Sequence, residues 1–209
     1  MAYTTIDDSE AYFQVKKYTG DGTGSGSGGQ AITFDGDTNM QPDMIWIKVM
    51  DSESSPMLSD AVRGTDGTSY RAMKPSASSA QTTHAEFLLS IQSDGFTVGS
   101  NGKFGADGDP YIAWCWVAGG GAGSSNTTGA TNTTSTSVNT TSKFSISTYT
   151  GTGSATTIGH GMGVAPACII CKEAGDSGDW VMYHHKNTSA PETDHIYLNL
   201  TEATADSAT

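Results

Sequence analysis

The apolar residues of this chain arrive in short runs of strand length, and only residues 81–90 admit a short helix. Residues 12–18 (Tyr-Phe-Gln-Val-Lys-Lys-Tyr) alternate aromatic or β-branched side chains with polar ones, the period of a half-buried strand. A Gly/Ser-rich loop at 19–30 and a short strand at 31–34 follow, then a turn-rich connection at 35–42. Residues 44–50 (Met-Ile-Trp-Ile-Lys-Val-Met) are almost unbroken apolar sequence and predict a central strand. Ser93-Asp94-Gly95 lies between apolar runs at 86–92 and 96–99; an Asp-Gly pair so placed predicts a hairpin, because glycine accepts the positive φ of the turn. Residues 111–117 (Tyr-Ile-Ala-Trp-Cys-Trp-Val) predict a further core strand. Alternation puts Trp114 and Trp116 on one face of it, where they read as core rather than as a platform for sugars.

Residues 119–142 are almost exclusively Gly, Ala, Ser, Thr and Asn. Such a segment buries too little apolar area to offset the ordering of its own backbone, so it reads as a linker or as an extended strand that takes its order from a neighbouring subunit. Beyond it the chain repeats itself. Phe144-Ser-Ile-Ser-Thr-Tyr149-Thr-Gly-Thr-Gly153 matches Phe13-Gln-Val-Lys-Lys-Tyr18-Thr-Gly-Asp-Gly22 in spacing and chemistry. Val164-Ala-Pro166 through Lys172 matches Met40-Gln-Pro42 through Lys48, with proline and lysine aligned in both. The organisation expected is a β unit over 1–118, a linker over 119–142 and a partial second copy over 143–209. The second copy has no counterpart of the Asp-Gly-Phe hairpin or of the Tyr-Ile-Ala-Trp-Cys-Trp strand. The expectation is that further chain, or another subunit, supplies those strands.

Composition supports the same class. Glycine reaches 26 of 209 residues, and the Ser and Thr content suits turns and pleated surfaces better than helices. The formal net charge of −12 argues against nucleic acid and against anionic membranes, both of which need clustered Lys and Arg. Residues 1–8 lack the basic start and apolar stretch of a signal peptide, and no run is long enough for a membrane-spanning helix.

Candidate chemistry is sparse. Cys168 and Cys171 have the C-x-x-C spacing of a redox pair or half a zinc site, but three residues apart in a strand they point to opposite faces; with Cys115 they read as small buried strand residues. His160, His184, His185 and His195, with Asp179 and Asp194 nearby, invite a metal reading. The adjacent pair His184/His185 again splits between faces, and Gly159-His160-Gly161-Met162-Gly163 reads as a turn. Asp35/Asp37 and Asp107/Asp109 each flank a glycine and offer hard oxygens of the kind Ca²⁺ takes, although turn chemistry accounts for both. No G-x-S-x-G elbow is present, no carboxylate pair is singled out, and Gly22-Thr-Gly24-Ser-Gly26 lacks the context of a phosphate loop. The reading is of no enzyme, no catalytic or metal residue, no cofactor and no defined binding residue.

Tyr149-Thr-Gly-Thr-Gly153, Ile158-Gly-His-Gly-Met-Gly163, Pro166 through Lys172 and Trp180-Val-Met-Tyr-His184 together resemble a repeat of structural proteins from marine bacteriophages. Residues 1–8 and Ser93-Asp-Gly-Phe-Thr-Val-Gly99 are similar to the same group. The resemblance implies an all-β chain of tandem lectin-like (concanavalin-type, jelly-roll) β-sandwich units, the second incomplete. It implies a virion protein, assembled in the host bacterial cytoplasm, that serves as a tail-fibre or appendage subunit in host attachment. Analogy with phage fibres adds a homotrimer contacting other virion proteins and host surface polysaccharide. The alternatives are a carbohydrate-binding adhesin module and a capsid decoration protein.

Overall fold

The computed structural model describes residues 6–206, so the first part of the 1–8 segment and residues 207–209 lie outside the described residues. Among the described residues the protein is all-β, with four antiparallel sheets. In the first unit β1 (Phe13–Thr19), β8 (Pro110–Trp116), β3 (Met44–Val49), β4 (Met57–Asp60) and β5 (Ala72–Met73) lie side by side in that order. A three-stranded sheet holds β2 (Gln30–Thr33), β7 (Gly95–Val98) and β6 (Leu88–Gln92).

Strand alternation builds the core. Tyr111, Ala113 and Cys115 of β8 and Ile45, Ile47 and Val49 of β3 share one face and are essentially solvent-free. They meet Ile32, Leu88, Phe96 and Val98 of the three-stranded sheet, with Phe34, Met40, Phe87 and Phe104 from the loops, in one apolar cluster. Trp114 and Trp116 do share a face, but it is the opposite one, so the expectation that they form part of this core is corrected. Residues 81–90 hold no helix: Thr82 exchanges both backbone bonds with Ala72, Phe87 closes a turn onto His84, and Leu88 opens β6. Burial of Phe87 and Leu88 against the sheets outweighs local propensity there. The hairpin at Ser93-Asp94-Gly95 forms as expected; Gly95 has φ 119°, and a Cβ on it would collide with the Ile32 carbonyl.

Polar side chains order the glycine-rich stretches. The Glu86 carboxylate accepts the Ser25 N–H (2.8 Å) and hydroxyl (2.5 Å) and the Ser100 N–H and hydroxyl (both 3.1 Å), tying the 19–30 loop to β6 and β7. Residues 119–142 take their order from within this chain. β9 (Ser135–Asn139) pairs with β10 (Phe144–Thr148), and Thr133, Thr136 and Ser137 are buried through hydroxyl hydrogen bonds rather than apolar contact.

Part of the sequence repeat shares one strand order. β11 (Cys168–Cys171), β12 (Val181–His184), β13 (Asp194–Tyr197) and β14 (Ala205–Asp206) form the fourth sheet. They follow the order β3, β4, β5 and the Thr82 bridge of the first unit. The Ala61 N–H bonds the Asp43 carbonyl at 2.8 Å, and at the matched positions the His185 N–H bonds the Ala167 carbonyl at 2.9 Å. The Lys48 ammonium donates to the carbonyls of Val49 and Ser52, and the Lys172 ammonium to those of Glu173 and Asp176, with identical spacing.

Candidate functional site

Two features organise the surface: the seam where the units meet, and the sheet that the second unit leaves uncovered. The first unit hands over to the second at Asp43, whose carboxylate is fully buried. It accepts the backbone N–H groups of Ala118 (2.7 Å), Gly120 (2.9 Å) and Gly121 (2.5 Å), so the chain turns out of β8 around a fixed hydrogen-bond acceptor.

The seam lies on the outer face of the five-stranded sheet. Register places Val15, Trp114, Trp46, Leu58 and Met73 in one row across it, with Phe13, Trp116 and Met44 in the next. Trp180 of the second unit seats on Leu58 and Met73, flanked by Met44, Trp46, Ala174 and Leu198, and is itself 3% exposed. Its indole N–H is shared between the carbonyls of Lys74 and Ala77, at 3.1 Å each. Backbone bonds from Gln81 to Ala174 (2.9 Å) and from Gly178 to Ser78 (2.8 Å) extend the seam. Farther along the same face Phe13, Trp116 and Phe144 form an aromatic run, with centroids 5.0 and 6.3 Å apart, and Phe13 and Val15 remain open to solvent.

The second sheet is uncovered. Ile169 and Ile170 are 43% and 45% exposed, whereas the matched Ile45 is 1% exposed. Tyr149, Val164, Val181 and Leu200 are exposed as well. The expectation that Cys168 and Cys171 are buried is therefore corrected: both are exposed, as all four residues of β11 are. Cys115 is buried as expected, and burial pushes its thiol pKa up. The C-x-x-C pair does not converge: Cys168 stands opposite His184 and Cys171 opposite Val181.

The other chemistry candidates are dispersed into local structure. His160 accepts the Met162 N–H at 3.2 Å and, with Thr128 and Thr157, borders a hollow of about 590 Å³ that no other titratable residue lines. The His184 ring meets His185 edge-on, and the His195 ring meets Tyr197. Asp179 accepts from Asn199 at 2.8 Å, and Asp194 accepts from Thr188. Among the described residues no three His, Cys, Asp or Glu side chains gather as a metal would require. Asp35 pairs with Lys16 at 2.5 Å, the Asp37 N–H bonds Glu10, and Asp107 and Asp109 flank Gly108 in a turn with φ 78°. Two carboxyls stand clearly below the usual range, both at about 2. Hydrogen bonds from Ser25 and Ser100 lower Glu86, and the N–H groups of Ser69 and Thr68 lower Asp66. A general acid would need a shift in the other direction. Sequence reasoning missed the seam; the one signal for it was Trp180, a large apolar residue directly after the polar stretch 175–179.

Among the described residues no helix is long and apolar enough to cross a membrane. No curated protein and no solved structure matches the chain significantly. The profile of one family does match, over residues 8–209, and by it the chain belongs to DUF7483, a domain of unknown function.

Proposed function

We propose that the chain is a non-enzymatic structural subunit of a bacteriophage virion. It is part of a tail fibre or related appendage that takes part in host attachment and assembles as a homotrimer among other virion proteins. The observation that carries the structural reading is the contrast between the two copies of one unit. The first is closed around a core, while the second is docked on it through Trp180 and presents Ile169, Ile170 and Val181 to solvent. Apolar surface of this kind marks protein–protein association. The virion assignment rests on the resemblance of the repeat motifs quoted above. The finer fold goes with it: two sheets sharing one core read as a lectin-like jelly-roll sandwich, and the second unit as an incomplete copy of it.

The test is the mass of the 209-residue chain in solution by light scattering, with electron microscopy of the particles. A trimer that forms elongated particles supports the appendage reading, and a compact monomer overturns it.

A second reading, a carbohydrate-binding adhesin, is favoured by the half-open aromatic run of Phe13, Trp116 and Phe144. Sugars stack on such faces. Quenching of tryptophan fluorescence by a bacterial surface polysaccharide, lost in Phe13→Ala, supports it; a glycan screen without response removes it.

A further inference from the structure

We infer that the end of the five-stranded sheet where β4 begins is a site for one tetrahedral oxyanion, a phosphate or sulfate group, held by Lys48, Lys74 and Lys103 with the hydroxyls of Ser52 and Ser54. This goes beyond the appendage reading and does not rest on it.

Three segments far apart in sequence converge there. Register sets Ile47 opposite Met57 and Met73 opposite Leu58, so Lys48 and Lys74, each the next residue along, flank the start of β4 from its two neighbours. The 50–56 loop that leads into β4 gathers the ammonium groups. Lys48 donates to the Ser52 carbonyl at 2.6 Å, and Lys103, from the connection between β7 and β8, donates to the Ser54 hydroxyl at 2.7 Å. The backbone of Lys74 is fixed by the seam, since its carbonyl accepts the Trp180 indole N–H. All three lysines are half-buried.

The charge at this point is unbalanced. The chain holds 22 Asp and Glu against 10 Lys and Arg, so carboxylates are plentiful and an unpaired cluster of lysines stands out. Among the described residues the ion pairs are Lys16 with Asp35 and Arg63 with Asp60, and none of the three lysines takes part. Asp51 and Glu53 of the same loop are exposed and pair with none of them. Burial lowers the pKa of Lys103, and the charges of Lys74 and Lys48 lower it further. A bound anion relieves repulsion of this kind.

The second unit serves as an internal comparison. Lys172 matches Lys48 and makes the same clamp, onto the carbonyls of Glu173 and Asp176. Burial lowers its pKa too, but its charged neighbours are Glu173, Asp176 and Asp179, which raise it. One clamp stands among negative charges and the other among positive ones. Holding the loop therefore does not require Lys74 or Lys103, and their convergence on Lys48 is left for another role.

The donors at the site are not used up by the fold. Each ammonium carries three N–H groups. Lys48 keeps one beyond its bonds to Val49 and Ser52, Lys103 keeps two, and Lys74 has no side-chain hydrogen bond among the described residues. Ser54 Oγ accepts from Lys103 and Ser52 Oγ accepts the Ser54 N–H at 3.2 Å, so both hydroxyl protons are open to an acceptor. A cluster made of donors suits a fully ionised oxyanion. The net charge of −12 repels a long polyanion, so the ligand is one such group, free or as an ester on a larger molecule.

The test is a titration of the intact chain with inorganic phosphate, with glucose 6-phosphate and with glucose, followed by amide chemical shifts. Saturable shifts at Ser52, Ser54 and Lys103 with the two phosphates and not with glucose support the inference. Lys74→Met should weaken binding at least about tenfold, the worth of one charge-assisted bond, and Lys103→Met likewise. Lys103→Arg should keep most of the affinity, and Lys172→Met should leave it unchanged. Lys74 makes no side-chain bond in the fold, so its variant reports binding free of any effect on folding. Shifts that never saturate, or that spread equally to Lys16 and Lys17, overturn the site as mere screening. Undiminished binding by Lys74→Met and Lys103→Met overturns it as well. With the site upheld, tighter binding of glucose 6-phosphate than of phosphate assigns it to an ester, and the reverse assigns it to the free ion. Trimer formation is read separately, so failure here leaves the appendage reading standing.

Discussion

The indole N–H of Trp180 donates to the backbone carbonyl of Lys74, 106 residues earlier in the chain, at 3.1 Å. That contact joins the second copy of the repeat to the first at the one large side chain it buries there. Trp180→Ala removes the ring and leaves the carbonyls of Lys74 and Ala77 without this donor, at a cost of about 3 kcal/mol. Trp180→Phe keeps most of the apolar area and costs about 1 kcal/mol. Urea denaturation gives both numbers, and proteolysis within residues 74–81 should accelerate in the alanine variant. Equal stability of Trp180→Ala and wild type would show that the seam is held elsewhere.

Asp43 clamps the exit from β8. Asp43→Ala leaves the N–H groups of Ala118, Gly120 and Gly121 without their acceptor in a buried setting and costs about 3 kcal/mol. Asp43→Asn keeps one acceptor but turns an amide donor towards three donors, so it recovers less than half of the loss. Cleavage of residues 118–124 by a nonspecific protease reports the release directly. A variant that loses stability without local cleavage would separate the core role of Asp43 from the clamp.

Glu86 sets a pH dependence. Its folded-state pKa is lowered to about 2 from an ordinary 4.5 by bonds from Ser25 and Ser100. The stabilisation is therefore complete above the ordinary value and is lost as pH falls from there through the lowered one. Asp66 acts over a similar window. Both carboxylates are open to solvent, which keeps the effect small. Glu86→Gln should lower the urea midpoint near neutral pH, and the gap to wild type should close as pH approaches about 2. A gap independent of pH would assign the effect to shape rather than charge.

Much of the fold was legible because its signals are local. The strands at 12–18, 44–50 and 111–117 declare themselves by alternation or by apolar runs, and the Asp94-Gly95 hairpin by its turn chemistry. The duplication was legible because proline, lysine and the Tyr-Thr-Gly motif keep their spacing. The ordering of residues 119–142 was not, since it depends on hydroxyl bonds such as Thr133 to Thr136, and threonine looks the same in a spacer as in a buried network. Which face of β8 would be the core was not legible either. Its two sides, Tyr-Ala-Cys and Ile-Trp-Trp, are both apolar, and only the docking of the second unit explains why the outer one is aromatic. The exposure of Cys168 and Cys171 follows from missing neighbours, which no property of the run Ala-Cys-Ile-Ile-Cys-Lys announces.

The strand order β1-β8-β3 carries a consequence for synthesis. The ribosome delivers β1 and β3 early, but the strand that joins them comes last of the eight. Until residue 116 emerges, a nascent first unit holds two unpaired edges, one on β1 and one on β3. Closure then waits on contacts far apart in sequence, such as Phe13 with Trp116, and these form slowly. During that interval neighbouring chains on one messenger could exchange their closing strands, so yield should depend on crowding of nascent chains as well as on the stability of the folded product.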